Sequence, residues 1–210
     1  MPGTGMIHHG STERKAVAFT FDDGPNPVYT PQILDLFRQA GAKATFYMIG
    51  SQIESNPKVA KAVHEQGHEI GNHTFTHPHL SELPEKACFD ELARTEALIE
   101  EAAGTKPQTF RPPYLDCNEQ VAGVSAGFGY AIIGAVNSAA RDWEQPGVQH
   151  IIDKTREAAK PGSIFVFHDG FGDRSQTVEA VRALIAELTA EGYELVTVSE
   201  LLNLNARHEA

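Results

Sequence analysis

Short apolar segments rich in β-branched and aromatic residues alternate along the chain with segments whose apolar residues recur at helical spacing. The first kind predicts seven strands, at residues 16–21, 44–49, 68–72, 109–111, 130–136, 163–167 and 194–198. The second kind predicts six helices, at residues 31–40, 57–66, 84–103, 118–126, 148–159 and 176–191. Because strands and helices alternate, we expect right-handed βαβ units built around a parallel sheet.

This alternation predicts a single α/β domain over residues 15–205, folded as a distorted (β/α)7-type barrel. An open doubly wound sheet is the alternative fold. Residues 1–14 precede the first strand and are predicted to form an N-terminal extension or a short hairpin. His8 and His9 lie in this extension, and a histidine pair so close to a terminus is not favoured as a metal site.

Composition and charge narrow the classes of function. The chain has 17 lysine and arginine residues against 28 aspartate and glutamate residues, a net charge of −11, and no basic cluster. Nucleic acid is therefore not a predicted partner. Cys88 and Cys117 allow one disulfide or two thiols, and their spacing favours a buried thiol over metal binding or redox chemistry.

The sequence predicts no membrane span, because no stretch approaches the ~18 consecutive apolar residues that a transmembrane helix needs. It also lacks a basic segment followed by an apolar one near the start, so no signal peptide is predicted. A cytoplasmic protein and a trimmed or mature form of a secreted one both stay open. The oligomeric state is likewise left open by the sequence.

Chemically active residues follow five of the predicted strands. In a β/α barrel the carboxyl ends of the strands meet at one face, where active sites form. The groups at these ends are Asp22-Asp23, His73 with His77, Arg111, Asp142, and His168-Asp169. A single such group is expected by chance, whereas five of them predict a site.

Two neighbouring carboxylates, Asp22 and Asp23, repel each other unless a cation lies close by. Alone they would indicate a turn before Gly24. His73 and His77 are four residues apart, a spacing that would bring both imidazoles to one side of a helical turn. Two histidines and one carboxylate form a ligand set for zinc or another divalent first-row ion. The combination therefore favours a metal site over a turn and a pair of surface histidines.

Five short motifs carry a resemblance to a known family: residues 20–25, 73–78, 111–114, 142–143 and 166–168. They occur in the order found in the NodB-homology polysaccharide deacetylases, also called carbohydrate esterase family 4, and residues 15–202 resemble that family. The resemblance implies a distorted barrel of about seven strands that hydrolyses acetyl groups on glycans. It also implies one divalent metal ion, usually Zn²⁺ with Co²⁺ or Ni²⁺ as alternatives, and a secreted or cell-wall location.

The resemblance also implies a role for each matching residue at the metal. Asp23, His73 and His77 would be the metal ligands. Asp22 would act as the general base, and Arg111 would pair with it and orient it. We expect such a base to be effective because a metal ion acidifies the water that it binds.

The remaining motif residues are implied to serve the leaving group and the acetyl group. His168 would be the general acid, and Asp142 would tether its imidazole and raise its pKa. Trp143 and Val166 would line the pocket for the acetyl methyl group, and Tyr114 would offer its backbone N–H to the oxyanion.

Two positions depart from the family pattern. Leu115 stands where the family often has glycine, which adds a side chain near the substrate or alters the loop. The fourth motif has Asn137 in place of an aspartate and an additional residue before Asp142, which leaves the register of Asp142 open.

The leading functional hypothesis is N-deacetylation of N-acetylglucosamine units in peptidoglycan or chitin-like chains, with the acetylated glycan as the partner. O-Deacetylation of acetylxylan is the main alternative, since the same centre can cleave an ester. An allantoinase-like hydrolase of cyclic ureides and a non-catalytic glycan-binding protein are two further alternatives. Retention of the acidic and histidine groups together argues against both.

Overall fold

The computed structural model describes residues 5–203. The strands are β1 (Ala16–Asp22), β2 (Thr45–Met48), β3 (Glu69–Asn72), β4 (Thr109–Phe110), β5 (Ala131–Ile132), β6 (Ile164–His168) and β7 (Glu194–Leu195). The α-helices are α1 (Tyr29–Ala40), α2 (Gly50–Ser55), α3 (Pro57–Glu65), α4 (Glu85–Ala103), α5 (Glu119–Phe128), α6 (Val148–Ala158), α7 (Ser175–Ala190) and α8 (Val198–Asn203). Short 3₁₀ turns lie at Leu80–Glu82, Pro113–Leu115, Ser138–Ala140 and Asp142–Glu144.

All strand pairs are parallel, and the sheet runs in the order β5-β4-β3-β2-β1-β6. The start of β1 pairs with β7, and the rest of the same strand pairs with β6. Strands one to five therefore follow one another in a single direction, as in a barrel, whereas a doubly wound sheet reverses direction. The predicted distorted barrel is confirmed, with a gap between β5 and β6.

The N-terminal segment lies in this gap. Ile7 forms a parallel bridge with Ile133, and His9 forms an antiparallel bridge with Ser163. The His8 and His9 imidazoles each hydrogen-bond to a backbone carbonyl, those of Ala135 and Pro161. Residues 5–14 thus contact the strands on both sides of the gap. The rest of the predicted extension, residues 1–4, and residues 204–205 of the predicted domain lie outside the described residues.

Side chains along β1 alternate between the outer core and the barrel interior, and this alternation positions Asp22. Val17, Phe19 and Phe21 belong to the main apolar core, which also includes residues of α1 and α7. The intervening side chains point into the barrel, where Ala16 and Ala18 pack in a second cluster. Asp22 continues this inward series and reaches the carboxyl end of the barrel.

One predicted boundary near the C-terminus was wrong, and one helix there was not predicted. The last strand ends at Leu195 rather than at residue 198, and Val198 begins α8. A capping box starts this helix: the Thr197 N–H donates to the Glu200 carboxylate, and the Glu200 N–H donates to the Thr197 hydroxyl. Helix α2 was not predicted either, because only six residues form it.

Two smaller observations complete the fold. Cys88 is buried in α4 and is not bonded to Cys117. Within residues 5–203, no helix is both long and apolar enough to cross a membrane.

Candidate active site

Asp23, His73 and His77 converge at the carboxyl ends of β1 and β3, and their ligand atoms all lie within 4.8 Å of one another. The Asp23 Oδ1 atom is 3.2 Å from Nε2 of His77 and 3.5 Å from Nε2 of His73. This oxygen is buried and has no hydrogen-bond partner. The Nδ1–H of His73 donates to the Arg111 carbonyl over 2.6 Å, which leaves its Nε2 free to coordinate. This donor set therefore fits a divalent first-row ion.

The backbone around these ligands lies in the left-handed region at several residues that are not glycine. Asp23 has a φ of 74°, Thr74 of 66° and His77 of 63°. The predicted helical turn between the two histidines was therefore wrong, because residues 73–77 form an irregular loop. Such conformations each cost on the order of 1–3 kcal/mol, and surrounding contacts must hold them in place.

His73 and His77 also influence the ionisation of Asp23. Burial raises the pKa of the Asp23 carboxyl, but the nearby imidazoles of His73 and His77 outweigh burial and hold that pKa well below its usual value. The carboxylate is thus anionic and ready for a cation across the ordinary pH range.

Asp22 lies beside this cluster and is held by Arg111. The Arg111 Nη1 atom donates to Asp22 Oδ1 over 2.7 Å and to Thr20 Oγ1 over 2.5 Å. Arg111 is only 1% exposed, and its guanidinium lies 4.4 Å from the ring centroid of Tyr47. The arginine crosses the barrel interior from the end of β4 to β1 and fixes the orientation of the Asp22 carboxylate.

His168 and Asp142 form a hydrogen-bonded pair on the opposite side. The His168 Nδ1–H donates to Asp142 Oδ1 over 2.7 Å. Asp142 Oδ2 accepts from the His168 backbone N–H and from the Thr177 hydroxyl. Burial lowers the pKa of His168, but Asp142 outweighs burial and raises that pKa to about 9, with further help from Asp22 and Asp23.

A cavity of about 470 Å³ joins the two sides. Its walls include the carboxylates and imidazoles of both sides together with Tyr114, Leu115, Ser138, Trp143 and Val166. Tyr114 and Leu115 have φ values of 57° and 56°, and the Tyr114 N–H finds no acceptor among the described residues. The Trp143 ring lies 5.2 Å from the His168 ring. The structure thus brings all ten predicted site residues to one end of the barrel.

Comparison with known proteins identifies the family. The polysaccharide deacetylase family model matches residues 9–133, more than half of the chain. The chain belongs to the polysaccharide deacetylase family. Peptidoglycan-N-acetylglucosamine deacetylase of Bacillus cereus is 43% identical over 189 residues, which are 90% of this chain and 88% of that protein. A chitooligosaccharide deacetylase of Bradyrhizobium sp. is 35% identical over 200 residues, 89% of this chain and 90% of that one.

A solved structure extends the comparison to three dimensions. The chain matches a crystal structure of a peptidoglycan N-acetylglucosamine deacetylase in complex with 4-naphthalen-1-yl-N-oxidanyl-benzamide. The TM-score is 0.91 at 30% identity, over 95% of this chain and 93% of the other. The family membership and the fold predicted from the five motifs are therefore confirmed.

Three residues that support this deacetylase site were not predicted to do so. Glu91 on α4 accepts hydrogen bonds from the backbone N–H groups of Phe75 and Thr76, each over 2.7 Å, and from the Thr76 hydroxyl. It thereby holds the loop that carries both histidines. Its position on a helix with many acidic residues resembles a solvated face, so the sequence carries no signal for this role.

The other two residues are Asn137, which lies beside β6, and Asp169, which directly follows β6. Asn137 binds the backbone N–H and carbonyl of Val166 with its amide group and so replaces a neighbouring strand. Asp169 is fully buried, accepts a hydrogen bond from Thr30, and leaves its Oδ1 atom without a partner. Burial, together with the charges of Asp23 and Asp22, raises the pKa of Asp169 to about 7. The sequence places Asp169 at a predicted strand end but predicts no role for it.

Proposed function

We propose that this polysaccharide deacetylase removes the N-acetyl group from N-acetylglucosamine units of peptidoglycan or chitin-like oligomers. The supporting observation is the cavity, in which one wall presents a carboxylate–imidazole donor set and the opposite wall a charged imidazole. Relatives named for peptidoglycan and chitooligosaccharide deacetylation match nearly the full length of the chain. We further propose that it acts as a secreted or cell-wall enzyme, with residues 15–205 as its catalytic domain and residues 1–14 as an extension.

We assign Asp23, His73 and His77 as ligands of one divalent ion, with Zn²⁺ as the first choice and Co²⁺ or Ni²⁺ as alternatives. When bound, such an ion supplies Lewis acidity, which acidifies water and polarises the acetyl carbonyl. The unpartnered Asp23 oxygen supports this assignment, since a buried carboxylate oxygen without a hydrogen bond is costly unless a cation lies next to it.

Asp22 is assigned as the general base. Its Oδ1 is occupied by Arg111, and Oδ2 is directed toward His73 Nε2 at 3.9 Å, so the free oxygen faces the ligand cluster. It can accept the proton of a water molecule that attacks from this side. Arg111 acts as the positioning residue that keeps the carboxylate in this orientation.

His168 is assigned as the general acid. The amine that leaves from an amide is a poor leaving group until it is protonated, so a proton donor is needed on the side away from the attacking water. The raised pKa of about 9 keeps His168 protonated near neutral pH. Asp142 occupies Nδ1 and thereby directs the Nε2 proton into the cavity.

The acetyl group fits against the apolar part of the cavity wall. Trp143 and Val166 lie on the His168 side and would contact the methyl group. The Tyr114 N–H, without an acceptor in residues 5–203, would donate to the oxygen that becomes negative during attack. Removing one such donor typically raises the barrier by about 3–4 kcal/mol.

An acetate-release panel tests the proposal. Chitin oligomers, peptidoglycan and acetylxylan are each incubated with protein that was loaded with zinc or stripped with a chelator. We expect acetate from the two N-acetylated glycans, loss of release after chelation and recovery on adding Zn²⁺ or Co²⁺. Full activity of protein verified to be metal-free would overturn the metal assignment, and release from acetylxylan alone would replace N-deacetylation with esterase activity.

A further inference from the structure

Phe171 is an exposed aromatic residue on the loop between β6 and α7. Its side chain is 48% exposed, and its φ of 50° lies in the left-handed region. A bulky side chain is uncommon there, and both chain neighbours, Gly170 and Gly172, would adopt this conformation more easily. Neither burial nor backbone preference therefore accounts for a phenylalanine at this position.

The loop presents the ring in a fixed place. The Gly170 N–H donates to the Asp22 carbonyl, and the Arg174 guanidinium donates to the Gly170 carbonyl over 2.8 Å. On the other side, Asp173 accepts hydrogen bonds from Tyr29 through its carboxylate and from Gln145 through its backbone carbonyl. Hydrogen bonds thus fix the backbone on both sides of an exposed ring. The ring is therefore preorganised for contact with a ligand.

The ring stands at the edge of the proposed site. Its centroid is 6.2 Å from that of His77, and the His77 ring also contacts Tyr114 at 4.7 Å; both contacts are edge-to-face. A side chain at Gly170 would collide with the Asp23 carbonyl, so the loop lies directly against a proposed metal ligand. Phe171 does not line the cavity itself. A part of the substrate that contacts Phe171 would therefore lie outside the cavity, while the acetyl group lies inside it.

We infer that Phe171 is a substrate-binding residue that packs against the sugar ring next to the one being deacetylated. The inference rests on the proposed function, which places an oligomeric glycan over the cavity. The C–H face of a pyranose is apolar and flat, so it can cover an exposed aromatic ring and remove both from water. Binding of this kind lies away from the reacting bond and improves KM for a longer substrate without changing kcat.

The test compares Phe171→Asn with wild type on two substrates: the pentamer of N-acetylglucosamine and a small acetyl ester that fits the cavity alone. Asparagine tolerates the left-handed conformation, so the loop is kept while the ring is removed. We expect KM for the pentamer to rise about tenfold with kcat within about twofold, and the ester kinetics to stay unchanged. Phe171→Trp should restore the KM for the pentamer.

Phe89→Ala is the matched control, because Phe89 is 50% exposed on α4 and packs against Phe128, away from the site. It should leave both substrates unaffected. Zinc content and melting temperature of each variant show whether the neighbouring His77 has moved. An unchanged KM for the pentamer, or an equal loss on pentamer and ester, would overturn the inference while the wild type stays active. A wild type that releases no acetate from the pentamer would instead overturn the proposed function.

Discussion

The two sides of the site differ in how far the protein satisfies its own polar groups. On the ligand side, Asp23 keeps a buried oxygen without a hydrogen bond, and the backbone is left-handed at Asp23, Thr74 and His77. On the acid side, both oxygens of Asp142 are taken, by His168 and Thr177. The ligand side therefore has a buried carboxylate oxygen that a bound cation would satisfy, whereas the Asp142 carboxylate on the acid side is satisfied by the protein itself.

The two sides are therefore expected to control different properties of the enzyme. Loss of activity in a single variant would not show which of these properties was lost. The ligand side should govern metal binding, and the acid side should govern the pH dependence of proton transfer. The two sides face each other across the cavity, and Asp142 contributes more than Asp22 and Asp23 to the raised pKa of His168. Each side can therefore be altered while the other is monitored.

The largest effect is expected from Asp22 and His77, which both border the cavity on the ligand side. Asp22→Asn should lower kcat by about 10²–10⁴-fold, the usual contribution of a general base, while zinc stoichiometry stays near that of the wild type. His77→Ala should lose both activity and zinc, because it removes one of the three proposed ligands. Steady-state kinetics and metal analysis of the purified variants measure the two outcomes.

Near-normal turnover by Asp22→Asn would remove that residue as the base. If Asp22→Asn lost zinc as completely as His77→Ala, the separation between Asp22 and the three ligands would be wrong.

A smaller effect is expected from Asp142→Asn, which alters only the acid side. In metal-free wild type, NMR titration of His168 should give a pKa of about 9, so the imidazole is charged below that pH and loses its proton above it. Without the Asp142 charge, the pKa of His168 should fall, and kcat at neutral pH should drop by about 10²-fold. In the wild type loaded with zinc, activity should likewise decline as the pH rises through the pKa of His168.

The exposed carboxylate Asp153 on α6 provides the control, since Asp153→Asn should leave the His168 titration unchanged. Zinc content should be the same in both variants. A His168 titration that did not move in Asp142→Asn would contradict the assignment of Asp142 as its partner.

The smallest effect is expected from Glu91→Gln, because Glu91 touches no ligand directly. It should weaken zinc affinity about tenfold, as is typical when a group that orients a ligand loop is altered, with kcat at saturating zinc within about twofold. Zinc titration by competition with a chelator measures the change. Glu100→Gln, at an exposed position on the same helix, should bind zinc like the wild type. Equal zinc affinity for Glu91→Gln would show that the loop does not depend on this carboxylate.

Much of the fold could be predicted because glycine and proline residues clearly separate the segments with a strand pattern from the segments with a helical pattern. The site could be predicted because the carboxyl ends of parallel strands meet, so Asp22, His73, Arg111 and His168 had to lie near one another. What the pattern could not supply was the local backbone. The spacing of His73 and His77 predicts a helical turn, but an irregular loop forms instead. Its backbone N–H groups donate hydrogen bonds to the side chains of Asn72 and Glu91.

The short elements show the same limit. Strands β4 and β5 have only two residues each, so hydrophobic periodicity cannot fix their ends. Asn137 departs from the family pattern, yet its amide binds both polar groups of the Val166 backbone, an interaction between residues 29 positions apart. Roles that depend on a side chain meeting a distant backbone segment leave no periodic signal in the sequence.

The segment that fills the gap between β5 and β6 has a consequence for the order of folding. His8 meets Ala135 across 127 positions and His9 meets Pro161 across 152, so these contacts carry the loop-closure entropy of most of the chain. We therefore expect them to form late in folding, after the strands on both sides are in place. Arg111 donates to the carbonyls of Ile133 and Gly134, and the same two residues contact Ile7 of the N-terminal segment. We expect the surroundings of the residue that orients the proposed base to be completed at this late stage.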